Sequence, residues 1–197
     1  MKKEVWFFAG VALIVGILVG VLVASRVQSP SSTAGSSAPP SAPVPAVNYQ
    51  QQISMLEGIV AKDPGNRNAW VQLGHNYFDS QQPMKAVEAY GKALELDGND
   101  PDVLTDQGVM FRQLGWYDRA IENFNRASQI APDHAQSLFN LGIVYRYDLK
   151  DLEKARKAWE RYLAISPSGP GADKIRSELE FLKAHPELPA EAPRGMK

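Results

Sequence analysis

Residues 70–77 read Trp-Val-Gln-Leu-Gly-His-Asn-Tyr, and the pattern of that octet returns twice further along the chain. Trp70, Leu104 and Leu138 stand 34 residues apart, as do Gly74, Gly108 and Gly142 and the aromatics Tyr77, Phe111 and Tyr145. Downstream of the octet, Ala86 and Ala120, Tyr90 and Phe124, and Ala93 and Ala127 keep the same spacing. In the third copy one extra residue near 148–151 moves the counterparts to Ala155, Trp159 and Tyr162. A fixed period of this length marks a stack of supersecondary units, each too small to bury its own apolar faces.

Within one period the apolar residues recur at helical spacing, which predicts two helices of about 13 residues packed antiparallel. Where two helix backbones approach most closely a small residue is needed, and Gly74 and Ala86 supply it. Trp70, Leu73, Tyr77 and Tyr90 fill the space around them, each large side chain contributing about 1.5–3 kcal/mol on burial. Asp100 before Pro101 is a helix start, with Asp as the cap and Pro at the first helical position. A stack also needs capped ends. Ile53, Leu56 and Ile59, followed by Asp63-Pro64, predict a capping half-repeat within 48–66. Ile175, Leu179 and Leu182 form one stripe of a capping helix within 170–184.

The run from Trp70 to Tyr77, followed by Ala86 and Tyr90, resembles the tetratricopeptide repeat. Pro132 and Pro167 close the second and third units, and Gly98 stands in the first unit's corresponding turn. The resemblance implies an all-α fold, a right-handed superhelical solenoid with units at 67–100, 101–134 and 135–169. Gln107 stands where the pattern has leucine, which predicts a polar group in search of a partner and a weak point in the middle unit.

In such solenoids the first helices line a concave groove that holds an extended or helical segment of another protein. Carried over residue by residue, that face comprises Asn68, Val71, His75, Phe78 and Asp79 in the first unit and Asp102, Thr105, Val109, Arg112 and Gln113 in the second. The third contributes Gln136, Phe139, Ile143, Arg146 and Tyr147. Members that clamp a C-terminal carboxylate use Lys, Asn and Arg here; Val71, His75, Val109, Phe139 and Ile143 stand instead, so that clamp is absent. Arg112 and Arg146, one period apart, are suited to carboxylates. The predicted ligand is a peptide with hydrophobic anchors and some negative charge.

The 197 residues carry 21 Lys+Arg against 22 Asp+Glu, which argues against a nucleic-acid binder. No Cys and three His argue against a thiolate or His-rich metal centre, and no cofactor is expected. Residues 5–24 are wholly uncharged, and at about 1.5 Å per residue they match the hydrocarbon thickness of a bilayer. They predict a single transmembrane helix; a cleaved signal peptide ending near Leu22-Val23-Ala24 is the alternative. Lys2 and Lys3 before the span keep residues 1–4 in the cytoplasm. The solenoid then lies outside it, in the periplasm of a diderm host. Gly16 and Gly20 form a small-xxx-small pair able to bring two anchors together. Residues 25–47, rich in Pro, Ser and Ala, predict a disordered tether with a reach between about 25 and 65 Å. The tail 185–197 is also predicted to lack fixed structure.

An enzyme is not expected. His75 and Asp79 lie four apart on one helix, yet no nucleophile or second base accompanies them. The acidic run 97–102 lacks the glycine and glutamate of a calcium loop. The reading is therefore a membrane-anchored scaffold on the plasma or inner membrane that binds a segment of a partner protein. Two alternatives stand beside it. One is a resemblance to the membrane-tethered tetratricopeptide subunits of bacterial cytochrome c maturation, which hold apocytochrome segments. The other is a self-assembling structural protein, its oligomeric state open.

Overall fold

The computed structural model describes residues 48–185. The predicted span with Gly16 and Gly20, the linker and all but the first residue of the tail lie outside these. Among the described residues there are eight α-helices and no strand. They are α1 (Tyr49–Lys62), α2 (Arg67–Asp79), α3 (Pro83–Leu96), α4 (Pro101–Gln113), α5 (Tyr117–Ile130), α6 (Ala135–Ile143), α7 (Leu152–Ile165) and α8 (Pro170–Ala184), with a π turn, Val144–Asp148, between α6 and α7. None of them is long and apolar enough to cross a membrane.

The helix starts follow from local chemistry. Asn48, Asn66 and Asp151 each accept a hydrogen bond from the backbone three residues on, at 3.0–3.1 Å. Asp100 accepts from the amides of Asp102 and Val103, both at 3.0 Å, as the Asp-Pro pair predicts. Each such cap satisfies donors that the first helical turn leaves free.

The period is visible in the backbone itself. The turn inside each unit passes through one left-handed residue: Gln81 (φ 58°), Gly115 (φ 77°) and Lys150 (φ 58°). Gln82 and Trp116 donate their amides to Tyr77 and Phe111 at 2.8 and 2.9 Å. In the third unit the equivalent donor, Asp151, reaches Tyr145 at 2.8 Å, one residue further along. The π turn absorbs that extra residue by widening the helix from Val144 to Asp148. The insertion read near 148–151 thus sits just upstream, in the last turn of the first helix.

Packing repeats with the same fidelity. A Cβ placed on Gly74, Gly108 or Gly142 would meet the ring of Tyr90, Phe124 or Trp159 at 2.5, 2.6 or 2.0 Å. Each unit therefore wedges an aromatic of its second helix against a glycine of its first. All three rings are buried to 1% exposure or less, and interiors packed to this density leave no slack for a methyl group.

Two expectations are corrected here. Ile59 is 37% exposed, and Val60 takes its place beside Ile53 and Leu56 in the core; the helical phase carries position 60, not 59, toward α2. Gln107 is no weak point. It is buried, donates to the Val87 carbonyl at 3.0 Å and accepts from the Asn123 amide at 2.8 Å, so this polar group binds α4 to both neighbouring second helices. At the far end Ile175 and Ala172 of α8 are buried against the third unit, with Leu179 and Leu182 packed beside them.

Candidate peptide-binding groove

The predicted face is carried by α2, α4, α6 and the π turn, and α8 continues it. Lys174, Glu178 and Phe181 lie in phase with Phe139, Ile143 and Arg146 once the extra residue is counted. Asn68 and His75 are exposed, whereas Val71, Phe78, Val109 and Phe139 are half-buried. Tyr147 and Phe181 are exposed at 38% and 42%. Ile143 is different: at 9% exposure it belongs to the core beneath Trp159 and Tyr162 and offers a partner no surface. Thr105 is also buried, and its hydroxyl has no partner.

Charges on this face pair across the seams between successive first helices. His75 Nε2 lies 3.2 Å from Asp106, Arg112 Nε 2.5 Å from Asp148, and Arg146 Nε 3.5 Å from Glu178. Arg112 and Arg146, expected to grip a partner's carboxylates, therefore already face carboxylates of this chain. Arg112 also reaches Asp148 through a second nitrogen at 3.2 Å, the forked geometry that guanidinium and carboxylate favour. Arg146 is further held over the rings of Tyr147 and Phe181 at 5.4 and 5.3 Å. Tyr147 donates its hydroxyl to Glu178; burial and that bond push the hydroxyl up to about 12, so it remains a donor at working pH.

The rim is tied in the same manner. Arg67 meets Asp100 at 2.5 Å and His134 meets Asp102 at 3.0 Å. Partial burial pushes the Asp100 carboxyl up, but the Val103 amide and the Arg67 guanidinium outweigh it and hold it below the ordinary range. His75 shifts the other way. Its hydrogen bond to Asp106 raises it against partial burial, and the charges of Asp106, Asp79 and Asp100 add to that. His75 thus pairs with the neighbouring unit rather than with Asp79 on its own helix.

Sequence reasoning missed Asp106, Asp148, Glu178 and Phe181. Glu178 and Phe181 were recoverable, because they continue the register of His75 and Phe78 into the capping helix. Asp106 and Asp148 have no such signal, since their role depends on which partner the next helix brings opposite. A second hollow, about 430 Å³, opens between α1, α2 and α3 over Trp70 and Tyr77. Within it Tyr77 donates to Glu57 at 2.5 Å, and the Lys85 ammonium sits 5.3 Å from the Tyr77 ring.

Tetratricopeptide-repeat profiles match residues 68–100 and 101–168 end to end, together just over half of the 197 residues. The chain belongs to the tetratricopeptide-repeat family. The human protein O-mannosyl-transferase TMTC3 is 34% identical over 122 residues, 60% of this chain but 13% of that protein. The chain thus spans a small part of that relative's length. Among solved structures MamA superposes with a TM-score of 0.62 at 21% identity, covering 71% of this chain and 83% of MamA. YrrB, described as a tetratricopeptide protein with an unusual peptide-binding site, superposes with a TM-score of 0.60 at 25% identity, covering 66% of each chain.

Proposed function

We propose that the chain is a protein–protein interaction scaffold that holds a segment of a partner along its first-helix face, displayed on a tether from a membrane anchor outside the cytoplasm. The observation that carries this reading is the continuity of the face. Val71, Phe78, Val109, Tyr147 and Phe181 leave apolar surface open from α2 to α8, and the ion pairs between them fix the spacing of the helices that present it. YrrB, described as having a peptide-binding site, supports the choice of ligand class. The anchor rests on residues 5–24 and the orientation on Lys2 and Lys3. Confinement near a membrane raises the effective concentration for other membrane-bound proteins, so a modest affinity suffices.

The test is copurification from solubilised membranes of the source cells. Wild-type protein retains a partner, and a Phe78→Ala, Phe181→Ala variant of unchanged helicity loses it. Retention by the double variant would place the interaction elsewhere. Protease added to right-side-out membrane preparations should digest the solenoid; complete protection would reverse the orientation.

A further inference from the structure

Three helices meet where the first unit abuts the second. His75 and Asp79 stand one turn apart on α2, Asp106 of α4 meets His75 at 3.2 Å, and the ring of Tyr90 on α3 packs past Gly74 beside them. The His75 and Tyr90 rings meet edge to face with centroids 5.6 Å apart. Tyr90 is wholly buried, yet its hydroxyl has no hydrogen-bond partner. Burial raises that hydroxyl's pKa, and the charges of Asp106 and Asp79 raise it further. A buried polar group left unpaired is costly and calls for an explanation.

The other two wedge rings set this one apart. Phe124 has no hydroxyl, and Trp159 uses its indole N–H on the Phe139 carbonyl at 3.3 Å. Among the three wedge rings, only that of Tyr90 carries an unused polar atom. The charges are also unbalanced there. Arg67 is taken by Asp100 at 2.5 Å, and Asp79 forms no ion pair among the described residues. One histidine therefore stands beside two carboxylates and is paired with only one of them, Asp106.

We propose that this seam seats a single lysine or arginine side chain of the bound segment. Its N–H groups donate to Asp79 and Asp106 and to the Tyr90 hydroxyl oxygen, which accepts. The proposal rests on the groove reading above and reverses the sign of the charge expected on the ligand. His75, with 49% of its side chain exposed, yields Asp106 to the incoming cation. When protonated, His75 competes for that carboxylate; the facing groups are Asp79 on its own helix, Asp106 on α4, Asp100 ahead of α4 and Tyr90 on α3. Binding of a basic peptide accordingly tightens as pH rises and His75 loses its proton.

The test pans a random peptide phage library against the full chain in detergent micelles. Selected peptides are then measured against Asp79→Asn, Asp106→Asn and His75→Gln. Asp79 is exposed and unpaired, so Asp79→Asn leaves folding intact. Enriched peptides should share one Lys or Arg, and either aspartate variant should weaken them about tenfold or more, the scale of one charge-assisted hydrogen bond. Replacing the peptide's basic residue by Met should abolish its sensitivity to Asp79→Asn. Affinity should rise between pH 6 and pH 8 in wild type and stay flat in His75→Gln. Peptides that lose binding with Phe78→Ala or Phe181→Ala but ignore Asp79→Asn would overturn the seat and leave the groove standing. If no selected peptide depends on Phe78 or Phe181, the groove reading falls and takes the seat with it.

Discussion

The seam between the first and second units and the seam between the second and third are built on one plan and finished differently. Each lies beside the aromatic wedge inside the unit before it, Tyr90 on Gly74 and Phe124 on Gly108. Both are crossed by an ion pair, His75 with Asp106 and Arg112 with Asp148. At these two positions the second is paired within itself: its ring carries no polar atom, and its arginine is spent on the Asp148 carboxylate. The first leaves a hydroxyl without a partner and a carboxylate, Asp79, without a cation. The repeat thus keeps the wedge and lets the polar groups at and beside it vary from one seam to the next.

The largest effect expected at these seams comes from the wedges. Gly74→Ala and Gly108→Ala each place a methyl group inside a buried ring and should destabilise by about 1–3 kcal/mol. Gly58→Ala in α1, where no atom lies within 4 Å of the added carbon, should instead stabilise by about 0.5–1 kcal/mol. Chemical denaturation of the three variants gives the comparison; equal responses would mean the wedges are not tight. Next comes Tyr90→Phe, which converts the first seam into a copy of the second. It should raise the stability of the free protein by about 1 kcal/mol, because an unsatisfied hydroxyl is removed, while weakening a basic peptide. A variant that loses stability would show the hydroxyl to be satisfied after all.

Smaller shifts follow at the turns. Gln81→Gly and Lys150→Gly relieve left-handed residues that Gly115 already accommodates in the second unit, and each should raise the unfolding midpoint by the equivalent of about 0.5–1 kcal/mol. The smallest effect is the pH dependence of His75. Its pKa in the fold lies above the ordinary 6.5, so the fold favours the charged form. That contribution is fully present below the ordinary value and fades as pH rises through the raised one. Denaturation midpoints above and below neutrality should show a slight loss toward high pH that His75→Gln abolishes.

Most of the scaffold was legible in the sequence because the period fixes it. The wedge glycines, the Asp100 cap and the capping helix at α8 all repeat or terminate a visible pattern. What escaped depends on neighbours that the pattern does not name. Gln107 looked like a defect until Val87 and Asn123 came within reach. Arg112 and Arg146 looked suited to a partner's carboxylates until Asp148 and Glu178 arrived from the next helix. Ile143 passed for surface because its register matches exposed His75, although the third unit buries it under Trp159. The extra residue in that unit widens one turn of helix, and it is in that turn that Arg146, Tyr147 and Asp148 are carried.

Photocrosslinking in cells reaches the central claim most directly. A photoreactive residue is placed at position 78, at 181, or at 84 on the exposed side of α3. A groove that holds one segment along its length yields the same partner polypeptide from 78 and 181 and nothing from 84. Equal capture from all three positions, or different partners at the two ends, would contradict it.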